Sequence, residues 1–236
     1  MVKKANLKIT YKFLLGNGRK VDYSIQLDSE SLAYISDPAR YYPEWTRLDY
    51  EPRCNNCSLV NQNMEYCPIA VNLVDVVHVF KDTLSYEPVD CEVNTHERTY
   101  YKRNIQIQSA LSSLLGIIMV TSGCPALDKL RPMVKFHLPF ASIEETIYRA
   151  ASMYLLAQYF RMKHGFKTDL DLKGLIAVYQ KIDQINGRLC RRIRSATNQD
   201  ASLNAVVVLD VFAKMVPISV EETLFSFDGL FTKYLN

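Results

Sequence analysis

Four of the six cysteines stand where a thiolate can act as a metal ligand: Cys54 and Cys57 in Cys54-Asn55-Asn56-Cys57, Cys67 before Pro68, and Cys124 within Gly123-Cys124-Pro125. Two thiolates separated by two residues can grip one cation from a tight turn, and four are the usual complement of a closed thiophilic site. Cys67 and Cys124 each precede a proline and an apolar run, which places them at helix N-termini. Proline suits the first helical position and the positive end of the helix favours a thiolate, so both are expected to be anionic ligands. The other two cysteines read differently. Cys91 shares the inward phase of an alternating strand with Val89 and Val93, and Cys190 lies on an apolar helix face with Ile176, Ile182 and Ile193, so both are read as small core hydrophobes. A reduced set without metal and a Cys54/Cys57 redox pair are the competing readings.

Zinc and an iron-sulfur cluster both accept four cysteines, and the spacing does not choose between them. Zinc is the default, although no second Cys-Xaa-Xaa-Cys knuckle accompanies the first. Cys-Pro endings are frequent in cluster-binding runs. Gly123-Cys124-Pro125 also resembles, over three residues, the segment that supplies a cluster ligand in hydrogenase and quinone-reductase small subunits.

A second constellation lies further on. Pro132 and Pro139 interrupt the stretch from Arg131 to Phe140, which excludes regular helix there, yet apolar helical patterns flank it over 104–122 and 142–164. A small-molecule pocket is expected at Arg131, His137 and Glu145. The plainer alternative pairs Arg131 with Glu144 or Glu145 and gives His137 a backbone partner. Asp75, His78 and Asp82 share one side of a helix and are read as a solvated stripe.

The elements that must position these groups follow from periodicity. Leu7, Ile9, Tyr11, Phe13 and Leu15 alternate with polar residues, Gly16-Asn17-Gly18 turns the chain, and Val21, Tyr23, Ile25 and Leu27 alternate again, which predicts a β-hairpin. Val89 to Tyr101 predicts a third strand. Between them, Pro38, Pro43 and Pro52 break an aromatic loop containing Tyr41, Tyr42, Trp45 and Tyr50; residues 41–50 either cover the sheet or meet a protein partner. Ile69, Leu73, Val76 and Phe80 predict a short helix. Both flanking helices of the Arg131 segment are apolar on most sides and are expected to be central. Ser142 and Ser219 each open a capping box. A helix over 172–194 ends in Arg188, Arg191, Arg192 and Arg194, read as solvated cations at a helix C-terminus.

Composition is that of a globular protein, with 48% hydrophobic and 22% charged residues. A net charge of +3 supplies no argument for nucleic acid. The first 20 residues lack a signal-peptide apolar region, and the longest apolar segment recognised, Leu114 to Val120, is too short to span a bilayer, so membrane insertion is not expected. With thiols read as reduced, the expected location is cytoplasmic.

The motifs CNNCSL, EYCPIAVNLVD, SGCPALDKLRPM and FHLPFASIEET together resemble an uncharacterised bacterial family with a domain of unknown function, over residues 7–165. The resemblance implies a soluble bacterial protein and supplies no activity. The fold expectation is α+β: a small antiparallel sheet with the cysteine loop in residues 1–103, packed on a helical bundle in 104–236. Three functions stay open. The first is a binding or regulatory module with structural zinc at Cys54, Cys57, Cys67 and Cys124; the second is an iron-sulfur redox or sensor protein using the same cysteines. The third is a small-molecule enzyme with its pocket near Arg131 and His137.

Overall fold

A computed structural model describes residues 5–37, 41–55 and 57–235; Pro38 and Asn56, named above, lie outside them. The architecture is α+β. Strands β1 (Leu7–Leu15) and β2 (Lys20–Leu27) form the expected hairpin, registered with Leu7 opposite Leu27 and Phe13 opposite Val21. Gly18 takes φ 82° in the turn, a left-handed conformation in which a side chain would be strained. Ile9, Tyr11, Phe13, Ile25 and Leu27 point inward and are buried, as the two-residue period requires.

Beyond the hairpin the sheet has four strands in the order β2-β1-β3-β4, all antiparallel. The single strand expected from Val89 to Tyr101 is in fact a second hairpin, β3 (Pro88–Asn94) and β4 (Thr99–Gln106). Thr95 makes the turn without glycine or proline. Its amide and hydroxyl both donate to the Arg98 carbonyl, at 2.8 and 3.0 Å, and its hydroxyl accepts from the Arg98 amide at 3.1 Å. Strand β4 is an edge strand carrying Lys102 and Arg103 on exposed positions, the usual protection of an edge. It also runs through residues 103 and 104, so the expected division between sheet and bundle falls inside one strand.

Helix α2 (Ile107–Thr121) is central. It contacts the sheet, α1 (Pro68–Val79) and α5 (Ala201–Ser226), and Ala110, Leu111, Leu114, Leu115 and Ile118 are all fully buried. Each such leucine or isoleucine contributes about 1.5–3 kcal/mol of burial. Helix α3 (Ile143–Lys163) opens with the expected capping box but is not central: only Ile147, Ala150, Ala151 and Gln158 are buried, and Leu156, Phe160 and Met162 are more than half exposed. Apolar residues recur on its outer side as well as its inner, and periodicity alone cannot say which side meets the core.

Helix α4 (Lys173–Arg194) packs on α5, and a short α6 (Thr232–Leu235) ends the chain. Helix α5 starts at Ala201 and passes through both Pro217 and Ser219, so the capping box expected at Ser219 opens nothing. Asp200 stands at the N-cap without a side-chain bond to the helix amides; its carboxylate instead ties this end to the chain before β3, accepting from the Ser85 amide at 2.8 Å and hydroxyl at 3.0 Å, and from the Asn204 side chain at 2.7 Å. Among the described residues, Ala201–Val220 is a helix long and apolar enough to cross a membrane by length and composition, longer than Leu114–Val120, the longest apolar segment expected from the sequence. Its polar interruptions, Asn204, Asp210 and Lys214, mask that run when the sequence is read residue by residue.

Candidate metal centre and adjoining cavity

Three segments carry the four selected thiols. Residues 46–48 pair with 65–67: the Cys67 amide donates to the Thr46 carbonyl and the Leu48 amide to the Glu65 carbonyl, both at 2.8 Å. Trp45 is buried in the core, so the aromatic loop covers structure at this point, while Tyr41 is largely exposed. From the other side, Arg192 of α4 donates to the carbonyls of Trp45 (3.2 Å), Arg47 (2.6 Å), Leu48 (3.4 Å) and Tyr50 (2.8 Å). The solvated cation expected there is 4% exposed. A guanidinium offers five donors in a fixed fork, and here it secures the stretch that leads directly into Cys54 and Cys57. Arg188, one turn earlier, reaches Asn55 Oδ1 at 3.2 Å.

Cys67 is the N-cap of α1 with Pro68 behind it, as expected. Cys124 follows α2 rather than heading an α-helix. Gly123 takes φ 89°, and the Leu127 and Asp128 amides donate to the Cys124 carbonyl at 3.0 and 3.1 Å, forming a turn into a 3-10 helix, Asp128–Phe136. That 3-10 helix contains Pro132, which corrects the expectation of no regular helix in this stretch. The proline ring already has a helical φ, and a short 3-10 segment loses only one amide to it.

The thiols of Cys54, Cys57, Cys67 and Cys124 influence one another electrostatically. Burial raises the Cys54 pKa, and the charges of Cys67 and Cys57 raise it further, against Arg192 and Arg188, which lower it. Burial likewise raises Cys67, opposed by the Ala70 and Ile69 amides and by Arg192. Cys124 is pushed up to about 11 by burial, opposed by the Ala126 and Leu127 amides and reinforced by Cys67 and Cys54. The amides at both turns therefore favour the anion as expected, but burial outweighs them and the net direction for all three is toward the thiol. At Cys67 those amides face the sulfur without closing a capping hydrogen bond. All six cysteines are free thiols, and Cys91 is fully buried against Phe13 of β1.

Among the described residues no three His, Cys, Asp or Glu side chains stand at metal-ligand spacing. The two observations concern different ranges. Charges act across several ångströms of partly buried protein, whereas ligation requires sulfurs about 2.3 Å from a common centre. The donor set suits a thiophilic ion: four thiols on three segments, two of them (Cys67 and Cys124) with inward amides, and Cys54 beside two arginines that would offset the negative charge of a four-thiolate complex.

The second constellation is rearranged. Arg131 pairs with Asp128 and donates to the Ser31 carbonyl, and Glu145 is held in the capping box by the Ser142 amide at 2.7 Å. Neither lines the cavity that His137 borders, so the expected trio is not brought together. His137 instead meets Tyr11 of β1 and Ser113 of α2: Tyr11 Oη lies 2.7 Å from His137 Nε2 and 2.8 Å from Ser113 Oγ. The separations of 126 and 102 residues hide this cluster from sequence reading. Burial, then the nearby Arg149 charge, lowers the His137 pKa from 6.5 to about 3.

This shift predicts a pH dependence. Between about pH 6.5 and 3 the unfolded chain binds a proton at His137 that the folded chain refuses, so stability is lost as the pH is lowered through that window, by up to about 1.4 kcal/mol per unit. Urea denaturation midpoints of wild type and His137→Asn, measured across the window, should diverge because the variant lacks that slope. Parallel pH profiles would refute the buried neutral imidazole.

The domain of unknown function DUF6901 matches residues 9–232, and the chain belongs to that family. The match takes in α4 and α5, beyond the motifs that first suggested such a relationship. No curated protein and no solved structure matches the chain.

Proposed function

We propose that this member of the DUF6901 family is a metal-stabilised binding module in which Cys54, Cys57, Cys67 and Cys124 take one zinc ion. The observation behind this reading is that Cys54, Cys67 and Cys124, from two chain regions, are part-buried against the same core, where Cys54 lies within electrostatic reach of Cys57, Cys67, Arg188 and Arg192 and Cys124 within reach of Cys54 and Cys67. Binding would draw the sulfurs to ligand distance and tie the 54–67 loop to the turn after α2. The free energy of ligation then becomes folding free energy, because the unfolded chain has no preformed site. The alternative occupant is an iron-sulfur cluster, which uses the same donors and would make the protein a redox or sensor module.

Cobalt substitution tests the assignment. Cobalt(II) added to metal-free protein under reducing conditions should give the intense thiolate charge-transfer bands of a tetrahedral four-sulfur site, displaced stoichiometrically by zinc. A brown protein on anaerobic purification identifies the cluster instead. Octahedral, weakly coloured cobalt would contradict a four-cysteine site.

A further inference from the structure

The cavity beside His137 has about 570 Å³ and lies between α2, the 3-10 helix, α3, α4 and α5, at the end of the sheet nearest β4. This is within the range of small-molecule sites, roughly 300–1,000 Å³. Its walls are largely aliphatic and aromatic, with Ile117, Met133, Leu209 and Phe212 among them.

Asn186 is 0% exposed, lines the cavity, and has neither its carboxamide oxygen nor its nitrogen hydrogen-bonded among the described residues. An unpaired buried amide carries a desolvation penalty that a ligand offering both a donor and an acceptor would remove. The lining includes two cations, Arg149 and Lys102, and no carboxylate. One nitrogen of Arg149 donates to the carbonyls of Met133 and Phe136 at 3.1 and 2.9 Å, and no other bond of its guanidinium occurs among the described residues. Glu145 acts on Arg149 at longer range, but its carboxylate is taken by the capping box. His137 is neutral here and adds no charge.

The spacing sets the length of the occupant. Tyr179, Ile182 and Asn186 line the cavity along one face of α4, so the cavity runs beside seven residues of that helix. Seven residues of helix advance about 10 Å.

We propose that the cavity binds a mostly apolar carboxylic acid on the order of 10 Å long, with its carboxylate at Arg149 and Lys102 and a hydroxyl or amide group at Asn186. The acid would meet part-buried Arg149 and, at the exposed mouth, Lys102 through charge-assisted hydrogen bonds, and its chain would replace water against the apolar walls. The site uses none of the four cysteines named above, so it stands or falls apart from the metal reading.

Isothermal titration of the full chain with decanoate, 10-hydroxydecanoate and decan-1-ol provides the test. The hydroxy acid should bind most tightly, decanoate about ten-fold more weakly, and the alcohol weakest. Asn186→Leu removes an unpaired amide and should keep the fold, while abolishing the preference for the hydroxy acid over decanoate. Arg149→Gln should weaken both acids by at least about ten-fold and leave the alcohol unchanged. Absence of binding by all three to folded wild-type protein, or a hydroxyl preference that survives Asn186→Leu, would overturn the proposal.

Discussion

Replacing Arg192 by leucine is expected to destabilise the folded chain by about 3–5 kcal/mol, a cost in the range of breaking a buried charged network. The guanidinium is 4% exposed and serves four backbone carbonyls between Trp45 and Tyr50. Leucine can replace its volume but none of its donors, and each carbonyl that water cannot reach loses a bond worth about 1–3 kcal/mol. Lysine should not rescue the loss, because three donors on one nitrogen cannot span carbonyls arranged around a planar fork. Arg188→Leu is the control: its bond to Asn55 is single and exposed, and its removal should cost under about 1 kcal/mol. Urea unfolding gives the magnitude, and limited proteolysis within residues 41–67 should accelerate in Arg192→Leu specifically. A change below about 1 kcal/mol would show that water replaces the guanidinium at these carbonyls.

The second large effect separates the cysteines by role. Cys124→Ser should lower metal content and thermal stability together, because in the proposed zinc site it removes the ligand that would tie the turn after α2 to the 54–67 loop. Cys91→Ser should lower stability by about 1–3 kcal/mol while leaving metal content unchanged, since it places a hydroxyl at a fully buried strand position opposite Phe13. Equal loss of metal in the two variants would contradict this division.

Both effects depend on residues that were unequally legible. The β1–β2 hairpin was readable because period-two alternation and Gly18 pointed to the same turn, and α1 because Cys67-Pro68 and the apolar spacing agreed. Cys91 declared its burial through its phase on the strand. The β3–β4 turn was missed because Thr95 closes it with a hydroxyl, a signal weaker than glycine or proline. The outward side of α3 was misassigned because exposed apolar residues look like core ones in a sequence.

Long-range polar partnerships were the least visible. Arg192 sits on a basic helix end where a solvated cation is the ordinary expectation, and nothing near it in sequence announces the carbonyls 142 to 147 residues away. The same holds for Tyr11, Ser113 and His137, which come from β1, α2 and the exit of the 3-10 helix. Arg131 and Glu145 were grouped with His137 by proximity in sequence, whereas local bonds to Asp128 and Ser142 claim them first. Asn186 carried no signal at all, because an asparagine on a helix is unremarkable until its neighbours prove apolar.

The central claim, one metal held by four cysteines, is tested most directly by elemental analysis of the anaerobically purified chain after exhaustive dialysis. The account predicts close to one equivalent of zinc per chain, retained by wild type and by Cys91→Ser and lost from Cys124→Ser. Protein that carries no metal above trace level, and whose Cys54, Cys57, Cys67 and Cys124 all react freely with a thiol reagent while folded, would contradict it.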